Sequence, residues 1–408
     1  MTRPAPTLPA DRPGPDGASA AQRGLRIGMI AGEVSGDLLG GRLLRALRER
    51  VPGLRVEGVG GAEMAAEGCR SLVPLERLSV MGLTEILGRY RELRRIRARL
   101  IRHFLDDPPD VFVGVDFPGF NLGVERALKR AGIPTVHYVS PQVWAWRRWR
   151  VRTIRKSVDL MLALFPFEEA FYARHRVPVR FVGHPLADEI DGEIDVRALR
   201  QRLKLPQESL VLAMLPGSRV TELKAHADLF VQTALWLTSR DERLHFVVPF
   251  VNRQTRVIFE EAVKRNAAWD LPLTRMHGHS RDAMAAADAV LVASGTATLE
   301  AMLLKRPMVV TYRVSFLSAR LIKWLSSVKL YSMPNNLAGR ALVPELLQGR
   351  ARPVALGQAV LDLIGHPEAV AATLEEFDRI HASLRRGASA GAAAAILELV
   401  AQRRPGDG

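Results

Sequence analysis

A chain of 408 residues with 48% apolar side chains can bury a sizeable core and is long enough for two or three domains. Lys and Arg outnumber Asp and Glu by 58 to 43, a formal charge of +15, so the partner class is acidic: nucleic acid, a phosphorylated ligand or an anionic membrane. The single cysteine, Cys69, excludes an internal disulfide and a cysteine-based zinc site, and no run reaches the roughly 18 apolar residues of a membrane span.

Residues 1–24 are rich in Pro, Ala, Gly and Asp and lack the apolar stretch of a signal peptide, which reads as a disordered lead-in. Leu25 to Glu33 is an apolar run ending in small residues, a strand, and the helical spacing that follows stops at Pro52-Gly53. Arg55 to Gly61 is the next strand. From Val80 to Phe104, the residues Leu83, Ile86, Leu87, Tyr90, Leu93, Leu100, Ile101 and Phe104 recur at helical spacing, with seven arginines between Arg89 and Arg102. That pattern fits an ordinary surface helix or an interfacial one. Asp110–Asp116, Ile133–Ser140 and Leu160–Phe165 are further strands, each preceded by a helical stretch. Together they predict an N-terminal Rossmann-like domain over residues 25–190.

An acidic, then amphipathic, break at Leu186–Ser209 separates this from a second alternation. Its strands fall in "LVLAMLPGSR", "LHFVVPF", "LPLTRMHG", "AVLVASGTATLEAML" and "RPMVVTY", with a helix from about Thr221 to Arg240. This predicts a second Rossmann-like domain over 206–366 and a helical segment over 367–408. The tail is expected to pack back toward the N-terminal domain or a partner chain. The fold class is therefore α/β, two Rossmann-like domains facing a cleft, with ligands at the carboxyl ends of the strands.

Candidate residues follow from those strand ends. Asp116 ends an apolar strand beside Phe117, Pro118 and Phe120, an apolar setting that suits a general base; an Asx-turn closing the strand is the plainer reading. Asn121 orients that carboxylate or caps the next helix. "LPGSR" places Gly217, Ser218 and Arg219 where a strand meets a helix, an anion-binding turn or a plain cap. Ser294, Gly295 and Thr296 form a second small-residue turn. Glu300 after it either bridges ribose hydroxyls or caps the helix. "GEVSGD" lacks a GxGxxG or Walker pattern, so Glu33, Ser35 and Asp37 are expected to line the cleft. His184 in "GHPLAD" faces the cleft or is a satisfied structural histidine. No HExxH, DxD or His-carboxylate cluster is present, so no metal is expected. No RNP, KH or helix-turn-helix signature supports a nucleic-acid partner.

Taken together, "AGEVSGDLLG", "VMGLTEILG", "DFPGFN", "HYVSPQVWAWR", "PFE" with "FY", "FVGHPLAD", "LPGSR", "ASGTATLEAML", "PMVVTYR" and "MPNNLAGR" resemble the lipid A disaccharide synthase family, inverting glycosyltransferases of the GT-B fold. The resemblance covers nearly everything after about residue 25. It implies transfer from UDP-2,3-diacylglucosamine to 2,3-diacylglucosamine 1-phosphate, forming a β(1→6) disaccharide phosphate and UDP, with no cofactor. Asp116 would be the base. Arg219, the N–H groups after Pro216 and those near Ser294 to Thr296 would meet the charge on UDP. Glu300 would hold the ribose and Asn335, in a "SMPNN" that departs slightly from the family's pattern, would help order the nucleotide.

Both implied substrates are acylated anions. Trp144, Trp146 and Trp149 among Arg147, Arg148, Arg150 and Arg152 then suit a headgroup layer, at about 1 kcal/mol per cation near an anionic surface. Ser140, Gln142 and Trp144 of the same stretch are expected to line the substrate cleft, with Trp144 as core the plain alternative. The expected location is cytoplasmic, peripheral on the inner face of the inner membrane; the resemblance also allows a homodimer.

Overall fold

The computed structural model describes residues 24–78, 83–145, 148–190, 194–314 and 330–403, with the side chains of 83–87 not described. They divide into two compact units, residues 24–135 with 400–403 and residues 136–399.

In the first unit the order is β3-β2-β1-β4, formed by Cys69–Ser71, Arg55–Val59, Arg26–Ala31 and Val111–Val115. Their pairings are parallel. Glycine at 58 is obligatory: with φ at +156°, a Cβ there would stand 1.8 Å from the Met29 carbonyl oxygen. The helices are α1 (Val34–Arg48), α2 (Ala62–Ala66), α3 (Leu83–Asp106) and α4 (Pro118–Arg130). Strands β1 and β4 are apolar on both faces because helices cover both, the usual reason for near-continuous hydrophobic runs in parallel sheets. Ile96, Leu100 and Phe104 of α3 join Phe112, Phe120 and Leu128 in that core. The rear half of the arginine-rich helix is thus a packed element, with Arg95, Arg99 and Arg102 exposed, Arg97 half-buried against Gly123 of α4, and Tyr90 exposed.

In the second unit β5 (Thr135–Tyr138), β6 (Leu160–Ala163) and β7 (Val179–Phe181) run parallel side by side. They alternate with α5 (Val151–Ser157) and α6 (Pro166–Arg174), and α7 (Pro185–Glu189) and α8 (Val196–Arg202) follow. The six-stranded sheet has the order β10-β9-β8-β11-β12-β13. Its strands are β8 (Leu210–Leu215), β9 (Leu244–Phe250), β10 (Leu273–His277), β11 (Ala289–Ala293), β12 (Met308–Tyr312) and β13 (Glu345–Leu347). Helices α9 (Val220–Thr238), α10 (Arg253–Arg265), α11 (Ser280–Ala285), α12 (Ala297–Leu303), α13 (Met333–Ala338) and α14 (Pro353–Gly365) cover it, with a core on each face. The sheet order reverses between β8 and β11, the crevice where such sheets bind ligands.

The tail forms α15 (Pro367–Leu384) and α16 (Ala388–Arg403) and returns to β7 and α7. Asp188 caps α16 by accepting from the N–H groups of Gly387 and Ala388 at 2.9 and 2.6 Å. A ring nitrogen of His381 lies 2.9 Å from the Ala187 carbonyl, and Arg180 pairs with Glu398 at 2.7 Å. The short strands β3 and β13 had no apolar run to announce them.

Candidate active site

In the first unit β1 and β4 are neighbours in register, Ala31 opposite Val115, so the turns that leave them emerge side by side. One holds Gly32 and Glu33. The other holds Asp116 and Phe117, both left-handed at φ +50° and +47°. Two consecutive non-glycine residues there store about 1–3 kcal/mol each, a strain that clusters at functional sites. Asn121, fully buried on α4, holds the turn: its Nδ2 donates to the carbonyls of Asp116 (2.8 Å), Ile30 (3.1 Å) and Val115 (3.3 Å). It therefore grips the backbone of Asp116 rather than the carboxylate. Gly32 makes room for the Phe117 ring, since a Cβ there would lie 2.2 Å from Cδ1. The Asp116 carboxylate is half-exposed and has no partner among the described residues. Glu33 and Ser35 at the head of α1 are exposed beside it in sequence.

Asp37, expected in the cleft with them, is corrected by its surroundings. It is 3% exposed, and its oxygens accept from the N–H groups of Gly61 (2.7 Å), Glu63 (3.0 Å) and Met64 (3.1 Å). The carboxylate caps α2 and ties it to α1. Asp37→Ala should lower stability by about 1–2 kcal/mol while leaving substrate KM unchanged; a raised KM with an unchanged melting temperature would restore the ligand role.

In the second unit β8 and β11 are neighbours, Leu215 opposite Val292, and they flank the reversal of strand order. After β8, the N–H groups of Ser218 and Arg219 were expected to face a diphosphate. Both are taken: Glu222 Oε2 accepts from them at 3.0 and 3.2 Å, and its Oε1 lies 3.0 Å from Arg219 Nη1. Gly217, at φ +127°, leaves space for Glu222, whose Cβ would lie 2.6 Å from a Cβ at 217. The rest of the Arg219 guanidinium is open to solvent.

The turn after β11 is the emptier of the two. Ser294 Oγ donates to the Tyr331 carbonyl at 3.1 Å. Gly295, at φ +153°, and Thr296 are exposed, and no described residue accepts from their N–H groups. Glu300 lies one turn along α12. It makes no cap: its carboxylate has no hydrogen-bond or ion partner among the described residues. Burial raises its pKa, with the Arg281 charge opposing.

Asn335 lies beneath this turn. It is 1% exposed and its amide is fully used. Oδ1 accepts from Leu342 and Val343 N–H at 2.7 and 2.8 Å, and Nδ2 donates to the Val343 carbonyl and Glu345 at 3.0 and 2.7 Å. Glu345 also accepts from Tyr331 and Ser332 N–H and from Ser332 Oγ. Asn335 therefore shapes the loop that supports Ser294, and its side-chain amide is satisfied within that loop.

The tryptophan-arginine stretch is split. Trp144 is half-buried, donating Nε1–H to Glu168 at 3.2 Å, so the reading of it as a headgroup residue gives way to a packed one. Ser140 is buried, Gln142 exposed, and Trp149 59% exposed. Trp146 and Arg147 lie outside the described residues, as does 315–329. His184 Nδ1 accepts the Leu186 N–H at 3.2 Å, capping α7, and burial drives its pKa down to about 4. The ring is neutral with its proton on Nε2. Sequence reading missed three carboxylates: Glu168, Glu222 and Glu345. The first two sit third in their helices, the position from which Glu reaches back to the helix start, and were legible there; Glu345 carries no such local signal.

Sequence comparison adds the lineage. The profile described as lipid-A-disaccharide synthetase matches residues 27–398. Proteins named lipid-A-disaccharide synthase are 49% identical over 374 residues in Methylobacillus flagellatus and 52% identical over 380 residues in Pseudomonas aeruginosa. Those alignments cover 92% and 93% of this chain and 99% of each relative. Among solved structures, Anabaena HepE in complex with UDP and glucose is similar at a TM-score of 0.57 and 15% identity, covering 92% of this chain and 99% of that one. A UDP-GlcNAc 2-epimerase from Neisseria meningitidis bound to UDP-GlcNAc is similar at 0.61 and 13%, covering 93% and 99%. At such identities these two speak for the α/β, GT-B type fold alone. With its profile matched almost end to end and half its residues shared with such relatives, the chain belongs to the lipid-A-disaccharide synthetase family, glycosyltransferases of lipid A biosynthesis.

Proposed function

We propose that this chain transfers 2,3-diacylglucosamine from its UDP derivative to 2,3-diacylglucosamine 1-phosphate with inversion. The acceptor 6-hydroxyl forms a bond to the anomeric carbon as the bond to UDP breaks. The electron pair leaves with UDP and the hydroxyl proton goes to Asp116. Residues 25–190 and 206–366 act as the acceptor and donor domains. The observation that carries the donor assignment is the unpartnered, partly buried Glu300 carboxylate beside the open turn at Gly295 and Thr296. An acid desolvated without a partner gains by accepting two vicinal ribose hydroxyls, and free N–H groups on small residues suit a diphosphate. Arg219 adds a cation for the leaving group.

The test is incubation with both substrates, watching for UDP and the disaccharide. Conversion of the UDP-sugar to an epimer, or no UDP released, overturns the reading. Glu300→Gln should raise the donor KM by about 10–100-fold, the loss of hydrogen bonds to a charged group, with kcat largely kept; an unchanged KM removes Glu300 from the ribose.

The exposed Trp149 with Arg148 and Arg152 supports contact with an anionic bilayer from the cytoplasmic side. No described helix is long and apolar enough to cross a membrane. Vesicle flotation that high salt abolishes is the expected result, and salt-insensitive flotation the contrary one.

A further inference from the structure

Three loops leave the carboxyl ends of the adjacent strands β5, β6 and β7, and one side chain ties two of them together. Glu168, the third residue of α6, just after the loop that leaves β6, is 2% exposed. Its Oε2 accepts from the N–H groups of Leu164 and Phe165 at 3.2 and 3.1 Å, and its Oε1 from Trp144 Nε1 on the loop after β5. Ser140 on that same loop donates its Oγ–H to the Pro141 carbonyl at 3.2 Å, and its Oγ lies 2.9 Å from the buried Tyr172 hydroxyl. A row of half-exposed rings runs from this anchor: Trp144 meets Phe167 edge-on at 4.7 Å, Phe167 stacks on Phe165 at 5.6 Å, and Phe165 meets His184 at 5.3 Å. Both ends are pinned, Trp144 by Glu168 and His184 by the Leu186 N–H.

We propose that Glu168 is a positioning residue, whose carboxylate clamps Trp144 and so sets the ring row that receives the acylated sugar at the ends of β5 to β7. This rests on the reading given under Proposed function. The row has the chemistry for such a ligand: partly exposed rings for apolar surface, and one neutral donor, His184 Nε2–H, at its far end.

The clamp responds to protons. Burial pushes the Glu168 carboxyl up to about 7, against the donors around it. The groups facing it are the Tyr172 hydroxyl, pushed upward by burial and so protonated throughout, and Arg150, whose charge reaches Tyr172. His184, held near 4, does not titrate in the same range. Protonation turns a charged acceptor into a neutral acid and weakens its hold on the indole.

The experiment is a double-mutant cycle of Glu168→Gln and Trp144→Phe, the latter keeping a ring and removing only the N–H donor. Each single variant should raise the KM for an acylated substrate about tenfold with kcat largely kept, and the double variant should be no worse than the worse single. Wild-type KM should rise as pH falls through about 7, and both variants should lose that limb. Additive effects, or a pH limb that survives in Glu168→Gln, overturn the clamp. A second readout needs no substrate: the Trp144 indole N–H resonance, identified by its loss in Trp144→Phe, should titrate near pH 7. If it does not titrate, the clamp fails even with normal transfer; if it titrates while no sugar is transferred, only the functional reading fails. Should Glu168→Gln not fold, Trp144→Phe and the wild-type titration still decide.

Discussion

Asp116→Asn should cut turnover by about 10²–10⁴-fold, the usual loss when a general base is removed, while equilibrium binding of the UDP-sugar is unchanged. The geometry explains why the effect should be confined to chemistry. The side chain leaves a turn held in the left-handed region at two successive residues, with its carboxylate unpartnered among the described residues. Asparagine enters that region more readily than most residues, and Asn121 grips the backbone carbonyl, which the substitution leaves in place. Folding is therefore expected to survive, and only the proton acceptor is lost. Pre-steady-state turnover beside calorimetric UDP-sugar binding separates the outcomes. Equal losses in both would make Asp116 a structural residue.

Arg200→Ala should destabilise the protein by about 3 kcal/mol, the cost of leaving the Ala286, Gln207 and Ser209 carbonyls without their donor, with the partly exposed Asp288 adding little. For a unit of this size that lowers the melting temperature by roughly 6–12 °C. Arg200 is 7% exposed, and every arm of its guanidinium is used. Nε donates to the Ala286 carbonyl at 2.9 Å, Nη1 to those of Gln207 and Ser209 at 3.3 Å, and Nη2 to Asp288 at 2.7 Å. Asp288 in turn accepts the Val211 N–H at 2.7 Å. One side chain thus joins α8 to the entry of both β8 and β11, the strands that present the proposed nucleotide turns. Thermal unfolding by circular dichroism reads it, and a loss under about 1 kcal/mol would class the network as an ordinary surface pair.

How much of this was legible beforehand follows from where each signal resides. The long strands announced themselves through uninterrupted apolar runs such as "DVFVGVD" and "AVLVASG", because both sheet faces are covered. The three-residue strands β3 and β13 are too short to carry a pattern. Motif reading found the turns correctly, at Asp116, Ser218 and Ser294. It could not say which polar atoms were already satisfied, since that depends on partners distant in sequence. Asp37 and the N–H groups around Glu63, 26 residues on, show this, as do Asn335 with Val343 and Glu345. Glu300 illustrates the opposite case: its sequence offered a cap or a ligand contact, and its carboxylate meets no partner among the described residues.

The buried Glu168 also shapes how the protein answers acidity. In an unfolded chain this carboxyl titrates near 4.5, and in the folded chain near 7. Between those values the native state binds more protons than the unfolded state. Its favourable contribution is therefore complete below pH 4.5 and fades as pH rises through 7, by roughly 3 kcal/mol for this one group. Through this one group the fold is favoured where the indole is released, and less so where the rings are set. Native cohesion and readiness for ligand draw on the same proton in opposite senses.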